Sequence, residues 1–181
     1  MQQALTRLQE LEISLCRTFS RLQRRSPVRG VFVAASRLGD GALWYGLMAA
    51  LLIIHGWGAA GAVGHMAATA LAGTLLYLGT KRTTRRLRPC EAEPGLPAAA
   101  RPLDRYSFPS GHTLHAVCFT IVAGTYYPVL LPGLIVAAAL IATSRVALSL
   151  HYPTDVLVGA LMGGLLAHAS LALADALVVA A

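Results

Sequence analysis

The chain has 181 residues, the size of one domain, and 56% of them are hydrophobic while only 13% are charged. Disordered chains are polar and rich in charge, so this composition excludes disorder. Three cysteines, an odd count in a chain of this length, exclude a disulfide scaffold. The net charge of +7 would suggest a nucleic-acid partner in a soluble protein, so the first question is whether the apolar residues form a soluble core or membrane spans.

The N-terminal stretch predicts an amphipathic helix. Apolar side chains recur there at spacings of three and four residues; they are Leu8, Leu11, Leu15, Phe19 and Leu22. Two interpretations stay open: a helix that lies on the membrane surface, and a soluble helix packed on a membrane domain. We assign residues 1–38 to this N-terminal amphipathic interfacial segment and residues 39–181 to a transmembrane domain.

Long uncharged runs follow this segment. No Lys, Arg, Asp or Glu occurs for 40 residues before Lys81, for 39 before Arg145 or for 19 after Asp155. A helix needs about 20 apolar residues to cross the hydrocarbon core of a bilayer, and the runs lack the alternation of a membrane strand. They predict an all-α membrane protein, a bundle of about five transmembrane helices near 41–58, 61–80, 110–128, 132–150 and 154–176.

The five-span topology places every cation on one face of the membrane. The N-terminal segment, the loop from Lys81 to Phe108 and the turn from Arg145 to Asp155 lie there, and they contain all 15 Lys and Arg residues. Basic groups beside spans favour anionic lipid headgroups as partners, with no nucleic acid. By the positive-inside rule this face is cytoplasmic.

The first polar cluster follows the second predicted span. Lys81 stands there with six residues between it and the pair Arg88-Pro89. Basic residues after a span are routine, so the cluster is weak evidence by itself. The neighbouring arginines are interpreted as attracting anionic headgroups or setting topology; they are Arg82, Arg85 and Arg86.

The second cluster, Pro109-Ser110-Gly111-His112, begins the third span. Ser110 suits the N-cap position. Exposed amides at a helix N-terminus, beside a glycine that allows close approach, form an anion site. His112 can then reach the bound anion.

The third cluster joins the fourth and fifth spans. It contains Ser144-Arg145, then His151 and Asp155, with Pro153 suited to the first turn of the last helix. Asp155 can accept a hydrogen bond from Nδ1 of His151, which leaves Nε2 free as a nucleophile.

The topology brings all three clusters to one face, so we expect them to meet. Three cations, an N-terminal anion site and two histidines, one with a carboxylate partner, fit phosphoryl transfer without metal. One histidine attacks phosphorus while the other protonates the leaving oxygen. This chemistry predicts a bell-shaped pH–rate profile.

These clusters resemble the signature of the type-2 phosphatidic acid phosphatase superfamily, which also contains bacterial non-specific acid phosphatases, glucose-6-phosphatase and vanadium haloperoxidases. The signature is a lysine, six residues and Arg-Pro; then Pro-Ser-Gly-His; then Ser-Arg, five residues, His, three residues and Asp. The match extends over Lys81–Asp155 without a departure, and the surrounding uncharged runs suit the membrane branch.

The resemblance implies a role for each matched residue. His151 is the nucleophile and forms a phosphohistidine, Asp155 orients it, and His112 protonates the leaving group and then activates water. The phosphate oxygens are held by Lys81, Arg88, Arg145, Ser110 and the Gly111 amide. No metal and no cofactor are implied.

The sequence therefore predicts an integral-membrane lipid phosphatase of the metal-independent acid phosphatase type. Its substrate would be phosphatidic acid, phosphatidylglycerol phosphate, a polyprenyl diphosphate or a lipid A phosphate. The alternatives are a lipid phosphotransferase with the same intermediate and a non-enzymatic membrane transporter or scaffold.

The sequence also predicts where the protein is located and how it could assemble. We expect a multi-pass protein of a bacterial-type cytoplasmic membrane. The cation distribution favours an active site on the cytoplasmic side, whereas the resemblance to relatives that work on the outer side favours the opposite. Gly159 and Gly163, four residues apart on the fifth span, suit either a homodimer contact or close packing inside the bundle.

Overall fold

The computed structural model describes residues 2–22, 26–96, 98, 100, 102 and 104–180, and all regular structure among them is helical. This confirms the predicted all-α class. The helices are α1 (Gln2–Leu22), α2 (Ser26–Arg37), α3 (Leu43–His55), α4 (Ala60–Thr84), α5 (Pro89–Ala92), α6 (Gly111–Tyr126), α7 (Leu131–Ala147) and α8 (Pro153–Ala180).

Helices α3, α4, α6, α7 and α8 correspond to the five predicted spans. Three stretches of the described chain are long and apolar enough to cross a membrane; they are Pro27–Ala92, which includes α3 and α4, Pro128–Ala147 and Pro153–Leu177. At 16 residues, α6 is shorter than a bilayer core requires. It is instead enclosed by the bundle, where it packs against α4, α7 and α8.

Close packing of α6 against α8 depends on two glycines. A Cβ atom at Gly159 would lie 2.5 Å from the carbonyl oxygen of Ser110, and one at Gly163 would lie 2.4 Å from that of Leu114. The predicted pair of small residues therefore packs inside the bundle, where it lets α8 approach the start of α6 that carries the second motif.

The N-terminal segment contains two helices rather than one. On α1 the buried positions are Glu12 and Cys16, whereas three leucines of the predicted apolar stripe are exposed; these are Leu8, Leu11 and Leu15. The helix packs against α7 and α8 through an adjoining face that includes Cys16 and Phe19. Packing on the membrane domain is therefore observed, and contact of the exposed leucines with the membrane surface stays a prediction. The side chain of Leu22 lies outside the described residues.

A distorted helical turn, Leu38–Ala42, joins α2 to α3. Gly41 has φ of 134° there, a conformation that favours glycine. The turn changes the direction of the chain at Asp40. The loop between α4 and α6 also differs slightly from its prediction, because residues 89–92 form the short helix α5.

Candidate active site

Backbone hydrogen bonds bring the three motifs to one end of the bundle. The amide of Ser110 donates to the carbonyl of Asp155 at 2.9 Å, and the amide of Cys90 donates to the carbonyl of Ser149 at 3.1 Å. Arg88 adds a side-chain bond from Nη1 to the carbonyl of Leu150 at 2.6 Å. The predicted meeting of the clusters is thus found in the structure.

Three cations of the motifs are buried together, and we call them the cation cluster: Lys81, Arg88 and Arg145, which are 4%, 1% and 2% exposed. Asp104, which sequence analysis missed, lies 2.7 Å from Lys81 Nζ and 2.7 Å from Arg88 Nη2. Arg145 donates to the hydroxyl of Ser36, and the ion pairs of the described residues include none with it. A buried cation without a counter-ion is costly, so the cluster is suited to an anion.

His151 presents Nε2 to the cation cluster. This nitrogen lies 3.1 Å from Nη1 of Arg88, and a guanidinium group only donates. Nε2 is therefore the acceptor, and the proton of a neutral ring is on Nδ1. Burial, followed by the charges of Arg145 and Arg88, lowers the pKa of His151 well below its usual value. A lowered pKa favours the neutral form of the ring, the form that can act as a nucleophile.

Asp155 is fully buried behind His151, but its predicted hydrogen bond to the ring is not formed. Oδ2 lies 3.6 Å from Nδ1 of His151, an ion-pair distance that exceeds a hydrogen bond. Other donors hold the carboxylate, among them the amide of Tyr152 on Oδ2 at 2.8 Å and Arg86 on Oδ1 at 2.8 Å. The carboxylate is fixed beside the ring by these neighbours.

His112 has a carboxylate neighbour that sequence analysis also missed. Its Nε2 lies 2.5 Å from Oδ1 of Asp40, which the turn at Gly41 places near the start of α6. Gly39 permits this approach, because a Cβ atom there would lie 3.1 Å from Cδ2 of His112. No local pattern marks Asp40, since its partner is 72 residues away in the chain.

The residues at the start of α6 differ in whether they line the cavity. Ser110 is the N-cap residue, as predicted, and its hydroxyl accepts from the amide of Thr113 at 3.4 Å. Ser110 is fully buried and is not among the residues that line the cavity, whereas Gly111 and His112 are. The structure therefore places Gly111 at the site and Ser110 behind it.

The position of Arg86 differs from the role predicted for it from the sequence. It was expected to attract headgroups or set topology, but its guanidinium is turned inward, 2.6 Å from Glu12, 2.8 Å from Asp155 and 4.0 Å from the ring centre of Tyr152. Sequence spacing does not reveal this, because Glu12 is 74 residues away.

A cavity of about 410 Å³ joins these groups to an apolar cleft. Its lining includes the cation cluster and both motif histidines. It also includes apolar side chains of α3, α4 and α6, which we call the apolar arm: Trp44, Met48, Ala70, Leu71 and Phe119. Leu71 is 62% exposed, so the apolar arm extends to the surface of the bundle.

The fold and this site define a class, a helical membrane protein with a buried anion site and two histidines suited to phosphoryl transfer. Residues 58–178 match the model of the PAP2 superfamily, and the chain belongs to that superfamily. This agrees with the resemblance that the motifs carry.

Two solved structures share the fold. A transmembrane PAP2 type phosphatidylglycerolphosphate phosphatase from Bacillus subtilis is 23% identical, with a TM-score of 0.73 over 93% of this chain and 86% of that one. Aquifex aeolicus LpxE is 26% identical, with a TM-score of 0.77 over 89% of this chain and 94% of that one. No curated protein sequence gives a match.

Proposed function

We propose that the protein is a lipid phosphatase that removes phosphate from a lipid phosphomonoester or diphosphate through a phosphohistidine on His151. One observation carries the proposal: a single cavity is lined both by the cation cluster with His112 and His151 and by the apolar arm. A small polar phosphate ester would leave the apolar arm unfilled, whereas the chain of a lipid phosphate could occupy it.

In the first step, the cation cluster and the start of α6 bind the phosphate oxygens. Before substrate binds, the carboxylate of Asp104 is paired with Lys81 and Arg88. The phosphate then replaces this carboxylate as their partner. Nε2 of His151 attacks phosphorus, the bond to the lipid oxygen breaks, and His112 gives that oxygen a proton. The lipid alcohol, or the lipid monophosphate from a diphosphate, leaves.

In the second step, water attacks the phosphorus of phosphohistidine. His112, now neutral, takes a proton from this water, the bond between phosphorus and Nε2 breaks, and inorganic phosphate leaves. Asp40 keeps the ring of His112 in place throughout, and Asp155 does so for His151. This chain's own residues supply every proton transfer.

A panel of lipids tests the proposal. Purified protein in detergent, with chelator present, is incubated with phosphatidic acid, phosphatidylglycerol phosphate, a polyprenyl diphosphate and a lipid A phosphate, and released phosphate is measured. We expect rapid release from at least one lipid and none from the same lipid with His151→Ala. The matched control is His168→Ala, an exposed histidine on α8, which should retain wild-type activity.

Two results would contradict the proposal. One is the absence of phosphate release from every lipid by folded wild-type protein. The other is equal release by wild type and His151→Ala. Acid-labile phosphate on wild-type protein, trapped by rapid denaturation and missing in His151→Ala, would identify the intermediate.

A further inference from the structure

We infer that Glu12 and Arg86 are positioning residues that act on the reaction through Asp155. The inference rests on the proposed function, since it concerns the same site. It adds an element, α1, that precedes the matched family region at residues 58–178.

The contacts of Arg86 converge on the turn that follows His151. Nη1 donates to Oδ1 of Asp155 at 2.8 Å and to the hydroxyl of Thr154 at 2.9 Å. The guanidinium carbon, Cζ, lies over the ring of Tyr152, 4.0 Å from its centre. One side chain thus contacts three of the four residues after the nucleophile, and it leaves Oδ2 of Asp155 as the oxygen that faces the ring.

Glu12 holds Arg86 from the other side. One carboxylate oxygen accepts from Nη2 of Arg86 at 2.6 Å, and the other accepts from the amide of Thr154 at 3.1 Å and from its hydroxyl. Glu12 is only 3% exposed, and a buried carboxylate is tolerated only when it is paired. The pairing is therefore built into the packing of α1 rather than being a surface ion pair.

Neither residue is among those that line the cavity. Their loss should therefore leave phosphate binding intact and affect only the orientation of Asp155 and, through it, of His151. The expected signature is a lower kcat at an unchanged KM, which marks an interaction that matters only in the transition state.

The test compares Glu12→Gln, Arg86→Lys and the double variant, all as full-length protein in detergent. The substrate is the panel lipid that wild type hydrolyses fastest. We expect kcat to fall about tenfold in each single variant, the lower end of the effect of removing partners of site residues, with KM within about twofold. The double variant should be no slower than the slower single variant, because both act through one group.

Two controls separate positioning from loss of folded protein. Glu10→Gln and Arg82→Lys change exposed residues of α1 and α4 and should match wild type. Inorganic phosphate binding, measured by calorimetry, counts intact sites, and its stoichiometry should stay at the wild-type value in Glu12→Gln and Arg86→Lys.

The outcomes are distinct. Inactive wild-type protein contradicts the proposed function. Active wild type with unchanged kcat in both single variants overturns the inference, as do losses that multiply in the double variant. A fall in phosphate-binding stoichiometry that parallels kcat would show a merely structural role and would overturn it as well.

Discussion

Two regions of the chain meet at the active site, and they differ in how they can be recognised. Lys81–Asp155 carries the three motifs and lies inside the part that matches the PAP2 superfamily. The N-terminal residues precede that match, yet three of their polar side chains contact motif residues. Glu12 contacts Arg86, Ser36 contacts Arg145 and Asp40 contacts His112.

The two regions also differ in the role that we propose for each. In the proposed mechanism the motif region supplies the groups that bind and transfer phosphate, whereas the N-terminal residues position those groups. Substitutions in the first region should therefore cost more activity than substitutions in the second, and the pairs of contacting residues allow that comparison to be made directly.

The largest effect is expected for Asp155→Asn. The amide removes the negative charge that lies 3.6 Å from Nδ1 of His151 and favours a proton there, so kcat should fall about 10²- to 10⁴-fold with a much smaller change in KM. Steady-state kinetics on the panel lipid measure it, with exposed Asp175→Asn on α8 as the matched control. A KM effect larger than the kcat effect would show that Asp155 serves binding instead.

Arg145→Gln follows. Loss of a buried donor to the developing phosphate charge should lower kcat/KM about 10²- to 10³-fold and weaken inhibition by inorganic phosphate. Arg37→Gln, an exposed arginine on α2, is the control. If the variant were inhibited by inorganic phosphate as strongly as wild type, Arg145 would not bind phosphate.

A loss of about tenfold in kcat is expected for Asp40→Asn with a lipid phosphate. In the proposed mechanism Asp40 positions His112, which protonates the leaving oxygen, so p-nitrophenyl phosphate, whose leaving group needs little protonation, should be affected less. Equal losses with both substrates would count against this role of Asp40.

Ser36→Ala should have a smaller effect, about threefold in kcat/KM. It removes one hydroxyl partner of Arg145 and leaves the cation in the cavity. If its loss equalled that of Arg145→Gln, the division between the two regions would be wrong.

The smallest change is expected on mild acidification. The lowered pKa of His151 keeps its ring neutral below the usual imidazole value of about 6.5. The acid limb of kcat/KM, corrected for ionisation of the substrate phosphate, should therefore lie well below pH 6.5, and activity should fall less than about twofold between pH 7 and 6. A limb centred at pH 6.5 would show that His151 is solvated.

Much of the fold could be predicted because its causes are local. Uncharged runs long enough for a bilayer predicted α3, α4, α6, α7 and α8. The division of the N-terminal segment into α1 and α2 was missed, although Pro27 stands in the first turn of α2, where proline favours the start of a helix. The enclosed position of α6 was also missed, since length alone does not show which helix lies at the centre.

The sequence by itself determined the spans and the three motifs, because hydropathy and short spacings act between residues close in the chain. Only the tertiary structure decided that Arg86 turns inward, that Ser110 lies behind the site, and that Glu12, Ser36 and Asp40 reach it. The two residues of each contact are far apart in the chain: 72 positions for Asp40 and His112, 74 for Glu12 and Arg86, and 109 for Ser36 and Arg145. These contacts depend on how α1 and α2 pack on the bundle, and no local pattern encodes that packing.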